Sequence, residues 1–270
     1  MQPIAVLLAA SLLLLPLSSA QAKTVCTVVA DAASGAILLE QGDCRTRVTP
    51  ASTFKLALSV MGFDAGILSD PTTPTLPFQP GDPDWGGAEW QQPTNPVRWM
   101  QHSVVWFSQR ITGQLGVERL QDYAEQFGYG NADFSGDPGQ DNALERAWIS
   151  SSLQIAPVEQ VAFLRNLVNG SLPVAPGAIA MTRAIVQTSS TSAGWTLAGK
   201  TGSAYPRRAD GSFDRAKGWG WFVGWAERGP DRLVFAQLLQ DERRERVSGG
   251  IRARETLLKS WDELVVMEPK

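Results

Sequence analysis

Histidine and cysteine are almost missing from this chain, which has one and two of them among 270 residues. A zinc hydrolase builds its site from several His, Cys and carboxylate ligands, so no metal is expected here. A Ser-His-Asp hydrolase would have to use His102 as its base, because no other imidazole exists. A basic surplus is lacking too: 24 Lys and Arg face 27 Asp and Glu, for a net charge of −3. Nucleic acid is therefore not an expected partner. Long apolar runs occur in one place, Ile4 to Leu17, followed by Ala20-Gln21-Ala22 ahead of Lys23. That run falls short of the ~20 residues a membrane span needs, and the small-x-small triplet has the form of a cleavage site. Residues 1–22 read as an export signal, although Met1-Gln2-Pro3 lacks the usual Lys or Arg. The remaining chain, 23–270, is expected to be periplasmic or secreted, with no membrane segment after cleavage.

What is present suffices for a sizeable core, since 43% of the residues are hydrophobic. Cys26 and Cys44 stand at the outer ends of two β-like runs, Val25–Ala30 and Ala36–Glu40, joined by Ala33-Ser34-Gly35. An antiparallel pair would bring them within bridging range, and an oxidising compartment would join them as a disulfide. The stretch Pro50 to Met61 is apolar nearly all round and reads as a buried helix. A Pro-rich loop, Asp70 to Pro96, holds Trp85 and Trp90. Helical patterns follow over Val97–Thr112, Gly116–Phe127, Pro157–Asn169 and Pro176–Val186, interrupted by an irregular stretch from Gly128 to Asn142. Gly194–Ala204, Gly218–Glu227 and Arg232–Gln240 then read as an antiparallel meander, and a last amphipathic helix runs from about Gly250 to Val265. Strands at both chain ends and helices between them imply an α+β fold. Its antiparallel sheet has about five strands, flanked by helices, with a helical lobe inserted. In that arrangement 23–62 and 187–270 form an α/β lobe and 63–186 a mainly helical one, within a single catalytic unit. A crevice between the lobes is a natural ligand site.

Ser52 and Lys55 stand three apart, so on a helix they share a face. Ser52 falls in the first turn, where backbone N–H groups favour developing negative charge. Lys55 is set among Phe54, Leu56, Leu58 and Val60. A desolvated lysine loses proton affinity and becomes a neutral amine able to act as a base or to meet an electrophile. By itself the spacing says little, because a chain of this size carries about one Ser-x-x-Lys by chance. Lys200-Thr201-Gly202 falls in an expected strand, where Gly202 lets a substrate approach the backbone and Lys200 and Thr201 can hold a carboxylate.

Taken with a later helix bearing Ser103, these motifs resemble the penicillin-recognising serine enzymes, the serine β-lactamases and transpeptidases. Ser103-Val104-Val105, Tyr129-Gly130-Asn131, Trp148 ahead of Ser151-Ser152-Leu153, and Trp221-Phe222-Val223-Gly224 follow in the order found in class D (oxacillinase-type) β-lactamases. The resemblance covers essentially the whole mature chain. It implies that Lys55 is carboxylated by carbon dioxide (bicarbonate) and serves as general base, with no other cofactor. Trp148 would hold the buried carbamate, and Val105 would keep the site apolar and line the substrate pocket. Ser52 would attack the lactam carbonyl and form an acyl-enzyme. The backbone N–H groups of Ser52 and Ser203 would form the oxyanion hole, and Ser103 would relay a proton with help from Lys200. Lys200, Thr201, Gly202 and an arginine on the last helix, Arg254 or else Arg252, would bind the substrate.

Several further readings concern neighbouring residues. Tyr129, Gly130 and Asn131 shape the loop that holds Trp148, and His102 is a bystander. Trp85, Trp90 and Trp99 are rim candidates, while Arg207, Arg208, Arg215 and Lys217 form a solvated basic hairpin. Two alternatives have other outcomes: a β-lactam sensor domain and a peptidoglycan transpeptidase, both of which acylate without efficient turnover.

Overall fold

A computed structural model describes residues 22–265. The export signal, apart from Ala22, lies outside the described residues. Strand β1 (Lys23–Asp31) turns back into β2 (Ile37–Gly42) through Gly35, which adopts φ 78°, a conformation open to glycine without strain. The two cysteines are joined as a disulfide with Cα atoms 5.1 Å apart. Near the other end come β3 (Thr188–Ser190), β4 (Thr196–Ala204), β5 (Trp219–Arg228) and β6 (Asp231–Gln240). The sheet order is β2-β1-β6-β5-β4-β3, and every neighbouring pair is antiparallel. Six strands replace the expected five or so. The extra strand, β3, has three residues, too few to display a two-residue period.

Both faces of the sheet are covered. Trp221, Val223 and Trp225 face one core cluster while Phe222 and Ala226 face the other, as alternation along a strand requires. On the second face packs α7 (Gly249–Leu264), whose Ala253, Leu257 and Trp261 are buried. On the first face lies α1 (Lys55–Asp64), entered through a 3₁₀ turn at Ala51–Phe54. Between β2 and β3 the chain also forms α2 (Pro96–His102), α3 (Val105–Phe127), α4 (Ala143–Arg146), α5 (Pro157–Asn169) and α6 (Pro176–Ile185). Gly116 breaks α3 internally, with φ 77° and ψ 164°. No helix among the described residues is long and apolar enough to cross a membrane.

The single helix expected over Val97–Thr112 is two helices. Ser103 takes φ 57° and ends α2, and α3 restarts at Val105. Nothing in the local sequence announces this break, since no Gly or Pro lies between Val97 and Thr112.

Candidate active site

Left-handed backbone is uncomfortable for residues with a Cβ, costing on the order of 1–3 kcal/mol each. Four non-glycine residues among those described adopt it: Ala51, Ser103, Ala132 and Ser150. Ala51 precedes Ser52, Ser103 is itself a site candidate, and Ser150 follows Trp148 by two residues. Around Ser52 the chain is held tightly. The Thr53 N–H and hydroxyl both donate to the Pro50 carbonyl, at 3.2 and 2.7 Å. The Gln160 amide of α5 donates to the Thr53 hydroxyl at 2.8 Å.

Ser52 Oγ lies 3.5 Å from Lys55 Nζ. Lys55 is fully buried, and burial, reinforced by the charge of Lys200, pushes its proton affinity well below that of an ordinary lysine. Lys200, on β4, is also buried, and burial lowers its pKa to about 7. Its ammonium donates a short hydrogen bond to Ser103 Oγ and a second, of 3.0 Å, to the Thr201 carbonyl. The helix break at Ser103 thus lets α2 and β4 meet through a serine hydroxyl and an amine. Two amines of reduced basicity and two serine hydroxyls form a set suited to proton transfer without histidine.

A crevice of about 490 Å³ opens over this set. Ser52, Ser103, Lys200, Thr201, Gly202 and Ser203 line it, and so does Arg254, which donates to Ser189 Oγ at 2.6 Å. Arg252 is engaged elsewhere, paired at 2.5 Å with the buried Asp241. Gly202 has a tighter task than leaving room for a ligand. A Cβ there would lie 2.9 Å from the Pro50 carbonyl oxygen and 3.0 Å from the Thr53 methyl. Gly250 closes in from α7, where a Cβ would meet the Gly202 carbonyl oxygen at 2.7 Å. The absent side chains let strand, nucleophile turn and last helix touch.

Trp148 and Val105 do not line the crevice; both are buried. The Trp148 ring packs against Phe54, centroids 5.6 Å apart, next in sequence to Lys55. Its loop is fastened by Asn131, whose amide N–H donates to the Ser152 carbonyl at 2.8 Å and whose carbonyl oxygen accepts from the Gln154 N–H at 2.9 Å. Gly130 lies so close to that segment that a Cβ would sit 2.0 Å from the Gln154 oxygen.

Two neighbouring expectations need correction. Trp99 is wholly buried and bonded to Ser108 Oγ, so it is core rather than rim. Trp85, 68% exposed and with its ring 4.4 Å from that of Trp90 at a tilt of 57°, does reach the crevice, as does His102, whose Nε2 is 3.6 Å from Glu89. The basic hairpin is also less free than expected. Arg207 pairs with Asp137 at 2.8 Å and donates to the Ser150 carbonyl, and Arg208 pairs with Asp214. Among the described residues no group of three or more His, Cys, Asp or Glu is placed to hold a metal ion.

The chain matches the family model described as the penicillin binding protein transpeptidase domain over residues 25–260. It is 42% identical over 249 residues to β-lactamase OXA-9 of Klebsiella pneumoniae, covering 90% of each chain. To β-lactamase OXA-1 of Escherichia coli it is 35% identical over 236 residues, covering 86% of this chain and 82% of the relative. The crystal structure of OXA-427 class D β-lactamase superposes with a TM-score of 0.82 at 44% identity, covering 90% of this chain and all of the other.

Proposed function

Because the chain belongs to the class D serine β-lactamases, we propose that it hydrolyses the β-lactam amide of penicillins and related antibiotics, and so confers resistance to them. The observation that carries this reading is the placement of Ser52 Oγ 3.5 Å from a wholly buried Lys55, in one crevice with Ser103 and Lys200. Ser52 is the nucleophile. It loses its proton on the Lys55 side, attacks the lactam carbonyl and holds the opened ring as an ester. The N–H groups of Ser52 and Ser203 stabilise the oxyanion. Ser103 passes a proton to the departing ring nitrogen, and Lys200, whose pKa lies near neutrality, resupplies it. Thr201, Gly202, Lys200 and Arg254 bind the substrate around its carboxylate; the engagement of Arg252 with Asp241 favours Arg254.

The residues around Lys55 fit its carboxylation. Only a neutral amine reacts with carbon dioxide, and burial favours that form. Trp148 packs its ring against Phe54, next in sequence to Lys55, where its indole N–H would hold an anion on Lys55. Carboxylated, Lys55 would supply a general base for both steps, taking the Ser52 proton in acylation and, in deacylation, a proton from the water that attacks the ester carbonyl and releases Ser52 Oγ. Val105 contributes the dry surroundings rather than a contact in the crevice. Residues 23–270 act as one catalytic unit, with 23–62 and 187–270 as one lobe and 63–186 as the other. The Cys26–Cys44 bond and the apolar leader support a periplasmic or secreted enzyme.

Mixing the protein with a chromogenic β-lactam tests the reading. Many turnovers per molecule are expected. One stoichiometric burst, with an ester persisting on Ser52, would instead identify a sensor domain or a transpeptidase.

A further inference from the structure

Trp148 is held by a residue that belongs to none of the sequence motifs, Thr49. Thr49 is 7% exposed, and both hydrogen-bonding capacities of its hydroxyl are used within one loop. The hydroxyl donates to the Trp148 carbonyl at 3.0 Å and accepts from the Ser150 N–H at 2.9 Å. Among the described residues it is the one donor to that carbonyl. Ser150 sits at φ 55°, a conformation that persists only when the surroundings enforce it.

The segment around Thr49 is itself tied down by hydrogen bonds. The Thr49 carbonyl accepts from the Trp221 indole of β5 at 2.9 Å, and the adjacent Val48 exchanges two hydrogen bonds with Ile155, at 3.1 and 2.9 Å. Three residues later the chain reaches Ser52. One short segment therefore carries the nucleophile at one end and the anchor of the Trp148 loop at the other.

We propose that Thr49 is a positioning residue whose buried hydroxyl fixes the Trp148–Ser150 backbone to the segment bearing Ser52, setting the indole against Phe54, next in sequence to Lys55. Only the backbone of the loop is touched, so the effect on chemistry passes through the orientation of Trp148. The catalytic consequence rests on the proposed carboxylation of Lys55; the structural tie does not.

The test compares Thr49→Val, which keeps the shape and removes the hydroxyl, with Thr49→Ser, which restores it. Protein labelled with 5-fluorotryptophan gives a ¹⁹F resonance for Trp148, assigned by its loss in Trp148→Phe. In Thr49→Val this resonance shifts or broadens, and the bicarbonate concentration giving half-maximal activity rises. There kcat falls about tenfold or more, as misplacing a catalytic group does, and acyl-enzyme accumulates by mass spectrometry. Thr49→Ser returns each reading towards the wild type. Should Thr49→Val prove insoluble, Thr49→Ala removes the same hydroxyl without added bulk. An unaltered Trp148 resonance with wild-type kcat in the hydroxyl-free variant overturns the proposal, and so does a defect that Thr49→Ser fails to rescue. If the wild type turns over no β-lactam, the functional reading fails, while the Trp148 resonance still decides whether Thr49 holds the loop.

Discussion

Replacing Gly202 by alanine perturbs the site through a single methyl group. The added Cβ would lie 2.9 Å from the Pro50 oxygen, and ordinary contact begins at 3.4 Å, so strand and turn must part by about 0.5 Å. Strand β4 has little room to retreat, because Gly250 of α7 already abuts the Gly202 carbonyl from behind. The 3₁₀ turn bearing Ser52 must yield instead. Overpacking of this kind costs about 1–3 kcal/mol, which for a chain of this length lowers Tm by about 2–12 °C. The functional loss is larger in proportion, since the N–H groups of Ser52 and Ser203 sit on the two surfaces being separated. Losing one oxyanion donor outright costs about 10²–10³ in rate and partial misplacement less, so a fall of about ten- to a hundredfold in acylation rate is expected. Stopped-flow acylation with a chromogenic β-lactam, beside a thermal melt, measures both. Acylation within twofold of the wild type would refute the reasoning even if Tm falls, because the turn would then have absorbed the methyl without moving its donors.

Other perturbations separate the remaining roles. Lowering the pH protonates Lys55, and an ammonium cannot take up carbon dioxide, so activity declines on the acid side and added bicarbonate restores it; a pH–rate profile indifferent to bicarbonate contradicts the carbamate. The decline sets in at lower pH than an ordinary lysine would give, because burial has already weakened the hold of Lys55 on its proton. Trp148→Ala slows deacylation more than acylation and leaves trapped acyl-enzyme in the mass spectrum; equal slowing of the two steps reduces the indole to packing. Arg254→Ala raises KM about tenfold or more by removing a charge-assisted contact to the substrate carboxylate. Arg252→Ala instead strands Asp241 and lowers Tm by an amount corresponding to about 3–5 kcal/mol, as breaking a buried ion pair does; a KM effect confined to Arg252→Ala would reverse the assignment.

Much of this arrangement was legible from residue patterns because the relevant signals are local. The strands β4, β5 and β6 alternate or run continuously apolar between turns, and α7 carries its buried face at helical spacing. Ser52 with Lys55, and Lys200 with Thr201, could be read for the same reason. Strand β3 could not, because three residues have no period. The break at Ser103 was invisible as well, since it arises where α2 must stop for Lys200 to meet the serine, a demand made 97 residues away. Thr49, Arg207 and Asp241 were missed or misread on similar grounds. The partner of Thr49 lies 99 residues along the chain and that of Arg207 70 residues away, and no local pattern records such distances.

The order of the sheet also dictates when this protein can become itself. Strand β1 is paired on one side with β6, in a register that sets Lys23 opposite Gln240. Among the described residues the first strand of the sheet therefore waits for the last before its inner edge is satisfied, and until then only the hairpin with β2 is available to it. Closing so long a loop is slow, and an exposed strand edge invites the wrong neighbour in the meantime. A chain cut short before β6 could keep its serines and lysines in sequence and still never assemble the platform beneath them.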